Sequence, residues 1–141
     1  MNRKLTIADY PLAETQSASI RGARGKSLDE ITLSGVIAGD VEMEDLRITP
    51  GALADQAQIA RAAKRPTLAL NFERAAELVD VPQDFIMAAY ELLRPGRSKS
   101  KDQLLDVARI FRETHKAHRM ADFIEEAAAI YERRGLFIPR F

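Results

Sequence analysis

Three groups of residues in this chain could do chemistry. His115 and His118 stand three positions apart, one helical turn, and two imidazoles on one helix face are the start of a metal site. The glutamate of an HExxH zinc helix is missing and no further ligand pattern accompanies the pair, so two solvated histidines in a polar stretch are the competing reading. The run Arg94-Pro95-Gly96-Arg97-Ser98-Lys99-Ser100-Lys101 combines guanidinium groups, hydroxyls and a following helix start, all of which favour an anion. It lacks the glycine-lysine-serine order of a phosphate loop, and Arg97 with Ser98 can equally bridge helix ends or pair with a partner. The acidic cluster from Asp40 to Asp45 has no EF-hand spacing and reads as a solvated turn or an interface rim. With no G-x-S-x-G, no dinucleotide glycine loop and no carboxylate pair isolated in an apolar stretch, the residues describe no self-sufficient active site.

The elements that would hold these residues are helices. Ser27 and Glu30 have capping-box spacing, and Leu33, Val36 and Ile37 form a short apolar stripe that stops at Gly39. Thr49-Pro50 is a strong helix start, and Leu53, Ala57 and Ala60 continue one face until Arg65-Pro66 breaks it. Thr67 is expected to open the next helix, with Leu68, Phe72, Ala75, Ala76 and Val79 on one side. Val81-Pro82 starts a fourth, bearing Phe85, Ile86, Ala89, Leu92 and Leu93, which Arg94-Pro95-Gly96 ends. Ser100 and Gln103 make a further box before Leu104, Leu105, Ala108 and Phe111. From Arg112 to Arg119 no large apolar residue occurs, and then Met120, Phe123, Ile124, Ala127, Ala128 and Tyr131 resume the helical spacing. Without proline or glycine in the gap, one continuous helix is expected across it, against the alternative of two helices meeting near Thr114 to His118. Gly135 suits the C-terminal cap, Tyr90 and Tyr131 are expected to half-cover the core, and the apolar tail Leu136 to Phe141 to pack on something. No alternating strand-like run and no internal repeat is present, so the fold class is all-α: about five to six helices in a single domain, with residues 1–26 an extended N-terminal arm and 27–141 the helical part.

The chain has 141 residues, and 21 Lys+Arg against 21 Asp+Glu leave a formal net charge of zero. A nucleic-acid or anionic-membrane surface usually carries a basic excess, which this chain lacks. It has no cysteine, which excludes disulfides, thiolate zinc and thiol nucleophiles and suits a reducing compartment. The first ten residues hold only Leu5 and Ile7 as large apolar residues, too few for a signal peptide, and no apolar run approaches the roughly 20 residues of a membrane helix, so a cytoplasmic protein is expected. The zero is locally uneven: residues 1–26 carry five Lys/Arg against two acids, while 27–46 hold Asp29, Glu30, Asp40, Glu42, Glu44 and Asp45 with no base.

Several segments taken in order carry a resemblance that none carries singly. Tyr10-Pro11-Leu12-Ala13, Asp45-Leu46-Arg47-Ile48-Thr49-Pro50, Asn71-Phe72-Glu73-Arg74-Ala75-Ala76-Glu77-Leu78, and Leu93-Arg94-Pro95 with Arg97-Ser98 resemble the small (gamma) subunit of adenosylcobalamin-dependent diol and glycerol dehydratases, from about Asp9 to about Tyr131. The resemblance implies a cytoplasmic complex of large (alpha), medium (beta) and small subunits, two copies of each, that dehydrates propane-1,2-diol or glycerol to the aldehyde. It implies adenosylcobalamin held between the large and medium subunits, none on this chain, and no catalytic group here, so that the small subunit is part of a hydro-lyase without activity of its own. Some relatives carry a long N-terminal extension associated with packaging into bacterial microcompartments; this chain begins nine residues before the YPLA motif, which weighs against that location. Motif density and surface-type residues nominate Tyr10, Pro11, Leu12, Arg47, Asn71, Arg74, Glu77, Arg94, Arg97 and Ser98 as interface residues, with intrachain capping the competing role for Arg47 and Arg97. The rival readings are a helical adaptor or regulator that binds nucleic acid or another anionic partner through Arg94 to Lys101, and a stand-alone metal hydrolase around His115 and His118.

Overall fold

The computed structural model describes residues 3–137. Among them the regular structure is helical: α1 (Leu12–Thr15), α2 (Leu33–Ala38), α3 (Met43–Leu46), α4 (Pro50–Ala62), α5 (Pro66–Leu78), α6 (Gln83–Leu93), α7 (Lys101–Glu113) and α8 (His118–Arg133). Among the described residues β pairing is confined to one isolated bridge between Arg21 and Ser27. Backbone contacts group the chain into two compact units, Met1–Val79 and Asp80–Phe141.

In the first unit α4 and α5 form a helical hairpin. Thr49 caps α4 by accepting the Ala52 N–H at 3.1 Å, with Pro50 at the first helical position. α4 ends on a left-handed residue, Lys64 (φ 59°), where the Arg65 N–H bonds back to the Ala60 carbonyl and the Lys64 N–H to that of Arg61. This is the turn geometry glycine usually supplies. α5 then begins at Pro66, one residue before the expected Thr67, because proline itself fits the first turn. Alanines 57, 60 and 69 make the buried seam, small enough to let the helices approach, and Leu68 and Phe72 pack against them. Arg61 and Glu73 form an ion pair across the hairpin.

Residues 3–26 carry no long helix; single turns at Ile7–Asp9, Leu12–Thr15 and Ser17–Ser19 punctuate the arm. The Ser27–Glu30 box forms, with the Ser27 N–H donating to Glu30 at 2.8 Å, but it closes only the turn Leu28–Glu30. α2 starts later, at Leu33, where Thr32 Oγ1 accepts the Gly35 N–H at 3.0 Å, and it stops at the left-handed Gly39 as its sequence requires.

The second unit centres on an α7–α8 hairpin. Leu104, Ala108 and Phe111 of α7 and Ala121, Ile124 and Ala128 of α8 fall at helical spacing and are wholly buried. Phe85 of α6 stacks on Phe111 with ring centroids 4.8 Å apart, and the Tyr131 hydroxyl donates to the Leu93 carbonyl. Lys101 pairs with Glu132, and Arg112 with Asp122 and Glu125, so the two helices run antiparallel. The expectation of a continuous helix through this region is therefore wrong. Lys116 adopts a left-handed backbone (φ 55°), its ammonium donates to the Glu113 carbonyl at 2.7 Å, and the buried Ala117 donates its N–H to the Phe111 carbonyl at 2.9 Å. The break needs neither proline nor glycine because a lysine occupies the position glycine normally fills. Gly135 (φ 65°) ends α8 as expected, with the Leu136 N–H reaching the Tyr131 carbonyl. Tyr131 is half-buried, whereas Tyr90 is exposed and covers no core. Of the apolar tail, Leu136 and Phe137 are half-buried and the Phe137 ring lies 6.3 Å from that of Tyr131; residues 138–141 lie outside the described residues.

Candidate interaction surfaces

The arm is organised by one carboxylate. Asp9, 4% exposed, accepts the Thr6 N–H (2.8 Å) and hydroxyl (3.0 Å) and the Gln16 amide (3.1 Å), and pairs with Arg3. These donors, the Thr6 backbone N–H first, outweigh the cost of burial and hold its carboxyl below the ordinary carboxylate range. The Thr15 hydroxyl donates to the Asp9 carbonyl at 2.5 Å, so the turn and α1 are locked together. Between the two, Tyr10 is turned outward and Leu12 inward. The Leu5 N–H donates to Gln58 at 3.2 Å, tying the arm to α4. Beside this seam lies a cleft of about 760 Å³ lined by Arg3, Lys4, Leu12, Ile20 and Asp55 among others, a mixture of both charges and aliphatic surface that presents no paired acid and base.

A second buried carboxylate organises the acidic stretch. Asp45, 4% exposed, takes the Arg24 guanidinium at 2.8 Å and the Glu42 N–H at 2.9 Å on Oδ2, and its Oδ1 has no partner among the described residues. A Cβ on Gly22 would stand 3.0 Å from the Asp45 carbonyl oxygen, so a side chain there would press on the Asp45 backbone that glycine lets the arm's loop approach. Around these inward groups the large apolar residues point to solvent. Leu33 is 77% exposed, Ile37 79% and Met43 78%, with Val36, Leu46 and Ile48 half exposed or more. The stripe of Leu33, Val36 and Ile37 thus exists as read, but it faces away from the unit.

The remaining nominated residues divide between surface and interior. Arg47 pairs with Glu44 at 3.3 Å and donates to the Val79 carbonyl at 2.8 Å, fastening the approach to α4 to the end of α5. On α5, Asn71, Arg74 and Glu77 follow at three-residue intervals, and Arg74 donates to Asn71 at 2.5 Å. In the second unit Arg94 and Arg97 share Glu91 at 3.1 and 3.4 Å, and Ser98 is buried. Leu12 and Ser98 are buried in this chain, while Tyr10, Arg47, Asn71, Arg94 and Arg97 are exposed. Pro11 sits half-buried at the start of α1.

The two rival chemistries lose their geometry. Along the basic run the Lys99 N–H donates to Gln103 (2.7 Å), Ser100 caps the Gln103 N–H (3.4 Å) and Lys101 is taken by Glu132, so an anion would have to displace contacts already made. The Gln103 side chain thus reaches Lys99 rather than the expected Ser100. His115 lies against the rings of Phe85 (5.2 Å) and Phe111 (6.3 Å), and His118 is exposed at the first residue of α8. No group of three His, Cys, Asp or Glu is arranged to hold a metal among the described residues.

The residues that reading the sequence missed are Asp9, Arg24, Gly35 and Asp45, which do the holding. The available signal was weak: an acid three residues after Thr6 and three after Glu42, spaced as a cap.

The family model for the dehydratase small subunit matches residues 5–137. The chain is 45% identical over 128 residues to the propanediol dehydratase small subunit of Citrobacter freundii, covering 91% of this chain and 74% of that relative. It is 44% identical over 133 residues to the propanediol dehydratase small subunit of Salmonella typhimurium, covering 94% of this chain and 76% of that protein.

Proposed function

We propose, because this chain belongs to the dehydratase small-subunit family, that it is the small subunit of a complex that dehydrates propane-1,2-diol or glycerol to the aldehyde, and that it binds and steadies the large subunit. The observation that carries this reading is the family match over nearly the whole chain together with two relatives of that name at about 45% identity. The partners on this reading are the large and medium subunits, two copies of each, working in the cytoplasm. Among the described residues no helix is long and apolar enough to cross a membrane.

Adenosylcobalamin, which supplies the radical chemistry when bound, belongs on this reading to the large and medium subunits. On this reading no residue of this chain is needed to hold it. His115 is turned against aromatic rings, and the cleft beside the arm is lined by Arg3, Lys4 and Asp55 together with aliphatic residues. The contribution of this chain on this reading is binding and positioning: α4–α5 and α7–α8 are packed hairpins, and Tyr10 in the arm, Arg47 before α4, Asn71 on α5, and Arg94 and Arg97 after α6 are exposed residues that can contact a partner.

The test is co-expression with the large and medium subunits of the complex. This chain is expected to co-purify with the large subunit, and its omission to abolish cobalamin-dependent aldehyde formation. A large subunit that purifies without it, or full activity in its absence, would overturn the reading.

A further inference from the structure

We infer that the outward apolar face of α2 and α3 is the principal docking surface of this chain, and that its occupant is an apolar patch with a basic rim on the large subunit. This rests on the small-subunit reading above and names the surface which that reading leaves open.

The two short helices are built inside out. In α2 the residue against the body is Gly35: a Cβ there would stand 2.9 Å from the Val41 side chain, and Val41 is buried. At roughly 100° per residue, Leu33 and Ile37, two positions either side of Gly35, lie on the opposite face, and Val36 lies between. In α3 the inward residue is Asp45, whose carboxylate takes Arg24 and the Glu42 N–H, and Met43, two positions before it, points the other way. Each helix therefore gives its smallest or most polar residue to its own unit and its largest apolar residues to solvent. Single exposed leucines are ordinary, but six large apolar residues turned outward in the segment from Leu33 to Ile48 are what an interface leaves exposed when its partner is removed.

The charge around this face selects the occupant. Six acids and no base lie between residues 27 and 46; Arg24 and Arg47 pair with Glu42, the buried Asp45 and Glu44, and Lys26 and Arg21 act on Glu30, which leaves Asp29 and Asp40 to give the surrounding surface its acidic excess. A second copy of this chain would set acid rim against acid rim, an unfavourable contact. A partner with basic residues around an apolar centre meets both requirements, and a small subunit's partner is another subunit of its enzyme.

The experiment uses the whole chain co-expressed with the large and medium subunits. Ile37→Glu with Met43→Glu changes two residues that are nearly free of contact in this chain. The variant chain is expected to keep the circular dichroism and melting temperature of wild type while its recovery with the large subunit falls at least tenfold. Undiminished recovery of the folded variant, with wild type co-purifying, overturns the docking face and leaves the small-subunit reading intact. Failure of wild type to co-purify strikes the small-subunit reading instead. Should the glutamates disturb folding, the wild-type complex gives an independent reading through the thioether of Met43, which dilute peroxide converts to the sulfoxide when accessible. Oxidation of Met43 in the assembled complex is expected to be at least tenfold slower than in the chain alone. Equal rates overturn the inference, as does self-association of the chain that Ile37→Glu and Met43→Glu abolish while subunit assembly persists.

Discussion

The segment from Arg3 to Ile48 and the α7–α8 hairpin solve the same problem with opposite materials. The hairpin puts Leu104, Phe111 and Ile124 entirely inside and leaves its ion pairs, Lys101 with Glu132 and Arg112 with Asp122 and Glu125, at the surface. The N-terminal segment buries the carboxylates of Asp9 and Asp45 and exposes Leu33, Ile37 and Met43. A buried carboxylate is costly unless its hydrogen bonds are made, and Asp9 and Asp45 spend most of theirs on local backbone and arginine. The hairpin is therefore complete as a piece of one chain. The N-terminal segment keeps its most water-averse residues unsatisfied, which is economical only when another chain covers them.

The largest expected effect breaks this contrast at its centre. Phe111→Ala removes a fully buried ring that also stacks on Phe85, and a loss of about 3–5 kcal/mol is expected by thermal or denaturant unfolding. Ile37→Ala, the removal of an aliphatic side chain of similar hydrophobicity, is expected to stay within about 0.5 kcal/mol in the chain alone. Equal losses at the two positions would mean that Ile37 is a core residue and the inside-out description of α2 is wrong.

Most of the fold was legible because the long helices carry their own punctuation. Thr49-Pro50, Arg65-Pro66, Ser100 and Gly135 are starts and stops with a local mechanism, and each acts near where it stands in the sequence. Two things were not legible, for different physical reasons. Periodicity says that Leu33, Val36 and Ile37 share a face but not which way that face turns; the direction is set by Gly35 meeting Val41 and by Asp45 meeting Arg24 from distant positions. The break between α7 and α8 was hidden because Lys116 takes a left-handed backbone that residue statistics assign to glycine. As for the interface, its apolar residues are recognised as outward-facing only once Gly35 and Asp45 are seen to take the inward positions.

Lys116 offers an intermediate effect. A left-handed residue with a side chain costs about 1–2 kcal/mol, here offset in part by the ammonium donating to Glu113. Lys116→Val adds a β-branch at that backbone and removes the bond, so the hairpin is expected to lose about 1 kcal/mol or more in chemical unfolding. Lys116→Gly, which relaxes the backbone, is expected to fall near or above wild type. If valine and glycine behave alike, the left-handed turn does not set the hairpin's geometry.

The smallest effect tests the carboxylate side of the comparison with acid. The Asp9 carboxyl titrates below its ordinary value of 3.8 because the Thr6 N–H, the Thr6 hydroxyl, Arg3 and Gln16 all favour its charged form. A depressed carboxyl contributes stability that is fully present above the ordinary value and is lost as the pH falls through the lowered one. Glu30, held down by the Ser27 N–H and hydroxyl, acts in the same direction. The Asp9 contribution to the arm should therefore be unchanged from neutral pH to about pH 5 and be lost only below about 3.8. The Thr6 amide proton reports this directly, since it donates to the titrating oxygen: its chemical shift is expected to move with a midpoint below 3.8, and Asp9→Asn to remove that movement. A midpoint at or above 3.8 would show that burial outweighs the donors, and the arm would then be held by its contacts with α4 rather than by its carboxylate.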